Sequence, residues 1–143
     1  MTAERAIHDC WSGYRPLSAL VPPERVYTGL PPLRDAMQHP ITFPYVSLSA
    51  LADADLTRTS SGTMFTTERI RFSIYTRDYD EGRHIDQAIC DCFNRREFLW
   101  SRGRVLDMKP GDRTESEDPE DGVWRIARDF QIRLTDTSGS KTQ

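Results

Sequence analysis

The sequence predicts an α+β domain: a mostly antiparallel sheet of about four strands with two helices packed on one of its faces. Three observations carry this expectation. Residues 63–77 and 123–136 alternate apolar and polar side chains, the period of a half-buried strand. The N-terminal twenty or so residues and the stretch after Asp78 instead repeat apolar residues at steps of three and four, the stripe of an amphipathic helix. The order helix, strands, helix, strands then leaves both stripes and the apolar strand faces in need of cover, and two helices on one side of one sheet cover them all.

Taken in order, Ile7, Cys10, Trp11, Tyr14, Leu17 and Val21 form the first stripe. Pro16 clashes with the turn before it, so the helix is expected to stop near Tyr14 and restart as a short turn. The proline-rich stretch that follows reads as ordered loop with a short extended piece at residues 25–28. "FPYVSLSAL" (43–51) and "TMFTTERIRFSIYTR" (63–77) read as an antiparallel pair joined by the polar loop "ADADLTRTSSG". In the second of these, Ile70, Phe72 and Ile74 point one way, while Arg69, Arg71, Ser73 and Tyr75 point the other. Beyond Asp78 or Asp80 as cap, Ile85, Ala88, Ile89, Cys92 and Phe93 make the second helical face. A short strand at 104–108 and an acidic loop, "PGDRTESEDPEDG", lead into the last strand. There Trp124, Ile126, Phe130, Ile132 and Leu134 share a face that Arg128 interrupts, and Arg125, Ala127, Asp129, Gln131 and Arg133 share the other. Residues 1–136 form one domain on this reading, and 137–143, with nothing worth burying, a disordered tail.

The totals narrow the function classes. A chain of 143 residues closes one core without staples, and 29% charged against 37% apolar residues is a soluble balance with no run long enough to span a bilayer. The first residues lack the basic head and apolar stretch of a signal peptide, which places the chain in the cytosol with its three cysteines reduced. A net charge of −3 argues against a protein built to grip phosphates.

No catalytic, cofactor or metal site emerges. In "IDQAICDCFN" Cys90 and Cys92 stand roughly 200° apart around a helix, at ~100° per residue, and cannot share an ion. Cys10, His8, His39 and His84 have no ligand spacing, and no phosphate-cradling glycine loop is present. Glu115, Glu117, Asp118, Glu120 and Asp121 lack calcium-loop spacing, which leaves a solvated loop, a DNA-repelling one or a contact for a basic partner. Arg69, Arg71, Arg125 and Arg133, with Tyr75, are either an ordinary solvent face or an interface, since arginine is favoured in protein contacts.

The segments "LSALVPPERVYTGLPP", "ITFPYVSLS", "ERIRFSIYTRDYDEGRHIDQAICDCF" and "DGVWRIARDFQIRLTD", in this order across residues 4–136, resemble the phage tail completion family, the tail-terminator-like proteins of long-tailed phages, prophages and gene transfer agents. The chain departs from the simplest members in its 30–40 insertion and its acidic loop. The resemblance implies a structural protein without catalysis or cofactor, forming a homo-oligomeric, commonly hexameric, ring at the head-proximal end of the tail tube. Its partners would be the tail tube protein and a head-side connector or stopper, with DNA passing through the channel without specific binding and no membrane involved. Its place would be the neck of the virion, after assembly in the host cytoplasm. The competing class is a small cytoplasmic ligand-binding module or enzyme with a pocket between sheet and helices.

The helix phase is testable. Cys92→Ser should cost on the order of 1–3 kcal/mol, the range for burying a poorly satisfied hydroxyl, and Cys90→Ser little. Equal urea midpoints for the two variants would place the stripe elsewhere.

Overall fold

The computed structural model describes residues 2–29, 42–51, 55–58, 64–100, 103–118 and 122–136. Helix α1 (Thr2–Gly13) and the one-turn α2 (Arg15–Ser18) precede a 3-10 turn and strand β1 (Val26–Thr28). Strands β2 (Tyr45–Ala50), β3 (Asp55–Arg58) and β4 (Met64–Thr76) follow, then helix α3 (Tyr79–Phe93) and strands β5 (Phe98–Trp100), β6 (Gly103–Asp118) and β7 (Val123–Asp136). Among the described residues the sheet has seven strands: β1-β2-β4-β7-β6-β5 across, with β3 continuing the lane of β2 along β4. It is curled into a half-barrel.

The expected sheet of about four, mostly antiparallel strands with two helices is therefore incorrect. The sheet is mixed, because β1 runs parallel to β2, and the described residues hold three α-helices. The reason is non-local pairing. β4 is 13 residues long and β2 covers only Ile70–Tyr75 of it, so the exposed backbone of Met64–Thr67 takes β3, drawn from a stretch that reads as polar loop. Likewise β7 holds all of 103–118 as one strand, although "KPGDRTESED" has little strand propensity of its own. Register shifts between Val105 and Asp107 and between Pro110 and Arg113 absorb the misfit, and Pro110 sits at the second of them, on an edge, where a strand tolerates proline.

Other expectations match the structure. The first helix breaks at Tyr14, and Pro16 sits in the first turn of α2, where its missing N–H is not needed. Asp78 caps α3, its carboxylate accepting from the Asp80 and Glu81 amides at 3.0 and 3.4 Å. Cys92 is fully buried and Cys90 half-buried. Leu30–Pro40 and the 137–143 tail lie outside the described residues.

The core lies between the helices and one sheet face. Trp11 of α1 and Phe93 of α3 meet Phe72 of β4 and Phe130 of β7, with Phe72 centred 5.2 Å from Phe130 and 5.6 Å from Phe93. The Trp11 indole N–H, fully enclosed, donates to the Val21 carbonyl at 2.9 Å, which ties the chain after α2 back onto α1. Val46, Leu48, Ile70, Ile74, Ile126, Ile132 and Leu134 complete the layer, each at zero exposure.

Helix α3 approaches the sheet through Gly82. A Cβ there would lie 2.7 Å from Ile126 Cδ1 and 2.8 Å from Thr76 Cγ2. Gly82→Ala, which in a free helix would gain up to ~1 kcal/mol, should instead destabilise by about 1–2 kcal/mol through overpacking against β-branched Thr76. Thermal melts of the two proteins decide it; a higher melting temperature for the variant would mean the helix stands farther off.

Candidate assembly surface

The face of the sheet away from the helices is built by the β4–β7 register. Tyr75 pairs with Arg125, Ser73 with Ala127, Arg71 with Asp129, Arg69 with Gln131 and Thr67 with Arg133. All five residues expected on this face, Arg69, Arg71, Tyr75, Arg125 and Arg133, are therefore on it together. They differ in how free they are. Arg71 grips Asp129 in a two-pronged pair, Nε to Oδ1 at 2.8 Å and Nη2 to Oδ2 at 3.2 Å, and that hydrogen bonding raises the arginine's pKa further. Arg125 donates to the Ser73 hydroxyl at 3.2 Å. The Arg133 guanidinium lies 6.0 Å from the Phe65 ring centre. Arg69 is exposed beside a cavity of about 180 Å³ that it lines with Lys109, Asp112 and Gln131.

Tyr75 belongs to an aromatic row that the sequence reading did not assemble. Its ring stacks on Tyr45 at 4.8 Å, and Tyr45 meets Tyr27 edge-on at 5.9 Å and Phe43 at 5.4 Å. Arg77 covers the other side of Phe43, at 4.6 Å. Burial, then the neighbouring Tyr75 and Tyr27, push the Tyr45 phenol pKa up. Phe43, Tyr45, Tyr75, Ser116, Glu117, Val123 and Arg125 line a cavity of about 370 Å³ at this end of the sheet. The signal was present as aromatics at alternate positions in "FPYVS", but the pairing of Tyr45 with Tyr75 is a register fact.

The acidic residues are dispersed rather than gathered in one loop. Glu115 and Glu117 stand on β6, opposite Ile126 and Trp124 in the helix-side register, although Glu117, near the end of the strand, also lines the cavity with Tyr75 and Arg125. Glu115 accepts from the Tyr79 hydroxyl at the start of α3, which raises that phenol's pKa, and pairs with Arg113 at 3.3 Å. Asp118 ends β6, while Glu120 and Asp121 lie outside the described residues.

The same side explains Arg128, the break in the apolar face of β7. Its guanidinium holds the buried Asp86 of α3 by both oxygens, at 3.0 and 2.8 Å, and Arg113 of β6 approaches the same carboxylate at 3.5 Å. With Glu115 and Tyr79, whose ring packs on Trp124 at 4.8 Å, these side chains bind α3 to both arms of the β6–β7 hairpin. His84 lines a cavity of about 350 Å³ with Arg83, Arg113 and Arg128. Among the described residues no group of three or more histidine, cysteine, aspartate or glutamate side chains is placed to hold a metal ion, and no helix is long and apolar enough to cross a membrane.

No family model and no curated protein matches the chain. Among solved structures it is similar to a chain of the "Virion of native gene transfer agent (GTA) particle", with 22% identity, 92% of each chain covered and a TM-score of 0.67. The likeness shows that the two share a fold along nearly their whole length.

Asp86→Ala should cost on the order of 2–4 kcal/mol, somewhat under a wholly enclosed pair because the Arg128 side chain keeps 19% of its exposure. In a urea double-mutant cycle with Arg128→Met, most of that loss should be recovered; strictly additive effects would show that the two side chains do not depend on one another.

Proposed function

We propose that this chain is a structural component of a phage-like or gene transfer agent particle, and specifically a tail-terminator-like protein that forms a ring at the head-proximal end of the tail tube. The observation that carries the reading is the shared fold with a virion chain over 92% of both lengths. The order of sequence segments that resembles the tail completion family is an independent support. The interior also favours a structural role over a pocket between sheet and helices, since Trp11, Phe72, Phe93 and Phe130 fill that space.

In a closed ring each subunit offers two different surfaces to its neighbours. The open sheet face, with Arg69, Arg125, Arg133 and the Tyr75 row, is the one we assign to a neighbouring subunit or the tail tube. The end of β6, with Glu117 and Asp118, is assigned to an adjacent ring such as the head-side connector or stopper. DNA would then traverse the ring without specific contacts, consistent with the net charge of −3.

Arg71 is unsuited to testing this, because reversing its charge would set a second acid beside buried Asp129 and perturb the fold itself. Arg69→Glu with Arg125→Glu leaves that pair intact. The purified protein should show rings by negative-stain electron microscopy. The double variant should keep the monomer's circular dichroism and melting temperature within a few degrees, lose the rings, and leave tails unjoined or overlong in the particle. Fully infectious or transducing particles from the double variant would remove this face from the interface; a catalytic turnover traced to the chain would overturn the structural reading.

A further inference from the structure

Among the described residues two large apolar side chains stand exposed, Leu20 at 38% and Leu99 at 80%. A lone surface leucine is ordinary; the support on either side of Leu99 is not. Both of its neighbours on β5 are held by the core. Phe98 packs on Phe93 with ring centres 6.3 Å apart, and buried Trp100 donates its indole N–H to the Thr135 carbonyl at 3.3 Å. Alternation along the strand then turns Leu99 the other way. Leu99 pairs with Arg104 and Arg104 with Thr135, two residues beyond Arg133, which puts the leucine on the open sheet face. An edge strand is where charge is expected; β5 instead presents an apolar side chain on a backbone that is already fixed, so seating it in a partner costs little ordering.

The same face holds a place that fits it. The cavity of about 370 Å³ bounded by Phe43, Tyr45, Tyr75 and Val123 is walled mainly by rings, whereas the cavities beside His8, His84 and Arg69 are walled largely by charged groups. The two charges in its lining select an uncharged guest, since Arg125 opposes a cation and Glu117 opposes a carboxylate. An aliphatic side chain meets neither penalty and gains dispersion contacts with the rings. A chain cannot fill its own cavity. Leu99 stands against Arg104 near the start of β6, while Ser116 and Glu117 line the cavity near that strand's end, roughly 40 Å away along the strand at ~3.3 Å per residue.

We propose that Leu99 of one copy seats in the aromatic cavity of a second copy of this chain. The occupant is the chain itself because knob and socket match in chemistry, share one face and stand too far apart to meet within a subunit. They are also different surfaces, so each copy can give its Leu99 to one neighbour and receive that of another, the head-to-tail pattern that a closed ring needs. The contact rests on the assignment of the open face to a neighbouring subunit and deepens it by naming the anchor, an apolar side chain in an aromatic pocket with the arginines as polar surroundings.

The full chain carrying Leu99→p-benzoylphenylalanine, mixed with isotope-labelled wild-type chain and irradiated, should crosslink position 99 to labelled peptides that contain Phe43 and Tyr45, Tyr75 or Val123. In sedimentation, Leu99→Asp should raise the concentration at which copies associate roughly ten- to a hundredfold, the loss expected when one leucine is no longer buried, with the circular dichroism unchanged. Val123→Trp, which fills the socket from its own side, should do the same, and Leu99→Met should associate as the wild type does. Crosslinks confined to single chains, crosslinks that map to the helix side, Leu99→Asp protein that associates at wild-type concentrations, or a wild-type chain that stays monomeric at millimolar concentration would each overturn the contact. The ring reading is tested separately. Crosslinked products of the photoreactive chain alone that climb beyond the dimer show the head-to-tail pattern; products that stop at the dimer show two copies exchanging Leu99 reciprocally, which keeps the contact and removes the ring. Rings that persist in Leu99→Asp keep the ring and remove the contact.

Discussion

The ladder between β4 and β7, running from Thr66 opposite Leu134 to Thr76 opposite Trp124, sets the identity of every face in the molecule. With this register Ile70, Phe72 and Ile74 fall beside Phe130, Arg128 and Ile126 on the side that the helices cover. A slip of one residue would turn Arg69 and Arg71 into the core and Phe72 out of it, so each buried ring in the Phe72, Phe93 and Phe130 cluster enforces the alignment. The flanking strands inherit it. β2 brings Val46 and Leu48 to the core because Val46 pairs with Ile74 and Leu48 with Phe72, and Tyr45 reaches Tyr75 for the same reason.

That register places Arg128 opposite Phe72 in the apolar layer. Asp86 on α3 meets it, and the pair works as a positional constraint more than as a source of stability: apolar residues of similar volume would bury as well. What the pair adds is discrimination. A rotated α3 would leave a carboxylate and a guanidinium without partners, each costing several kcal/mol, whereas a rotated apolar helix could repack. The close approach at Gly82, one turn before Asp86, fixes the same helix again, so the phase of α3 is specified twice, by a charge and by the absence of a side chain.

Legibility in the sequence follows the range of the interactions. α1, α3, β4 and β7 declare themselves because each buries one face along most of its length, and the burial writes a period into adjacent residues. β3, β5 and the second half of β6 do not, because their reason for being strands lies in the unpaired backbone of β4, β6 and β7 respectively. The same limit governs the candidate surface. Alternation alone puts Arg69, Arg71, Tyr75, Arg125 and Arg133 on one face, but only the register shows that Arg71 is spent on Asp129 while Arg69 is not. Glu115 and Glu117 read as loop residues and stand instead on a strand with Glu115 tied to Tyr79, a contact 36 positions apart in sequence.

The edges of the sheet bear on how such a subunit associates. Among the described residues, the outer flank of β6 beyond β5, from Lys109 to Glu117, is an open strand edge, the feature that invites uncontrolled pairing. Here it carries Pro110, a register shift, and the charges of Lys109, Asp112, Arg113, Glu115 and Glu117. Each opposes the addition of a strand: the proline lacks a donor, the irregular register has no straight partner, and the charges repel an apolar edge. Self-association through extension of this sheet edge is thus suppressed at the place where it would be least controlled. In the proposed assembly, contacts between copies would fall to side chains on the open face, where guanidinium groups and tyrosines can recognise a partner by geometry and charge. A face of that kind, unlike a bare strand edge, can limit assembly to a defined number of neighbours.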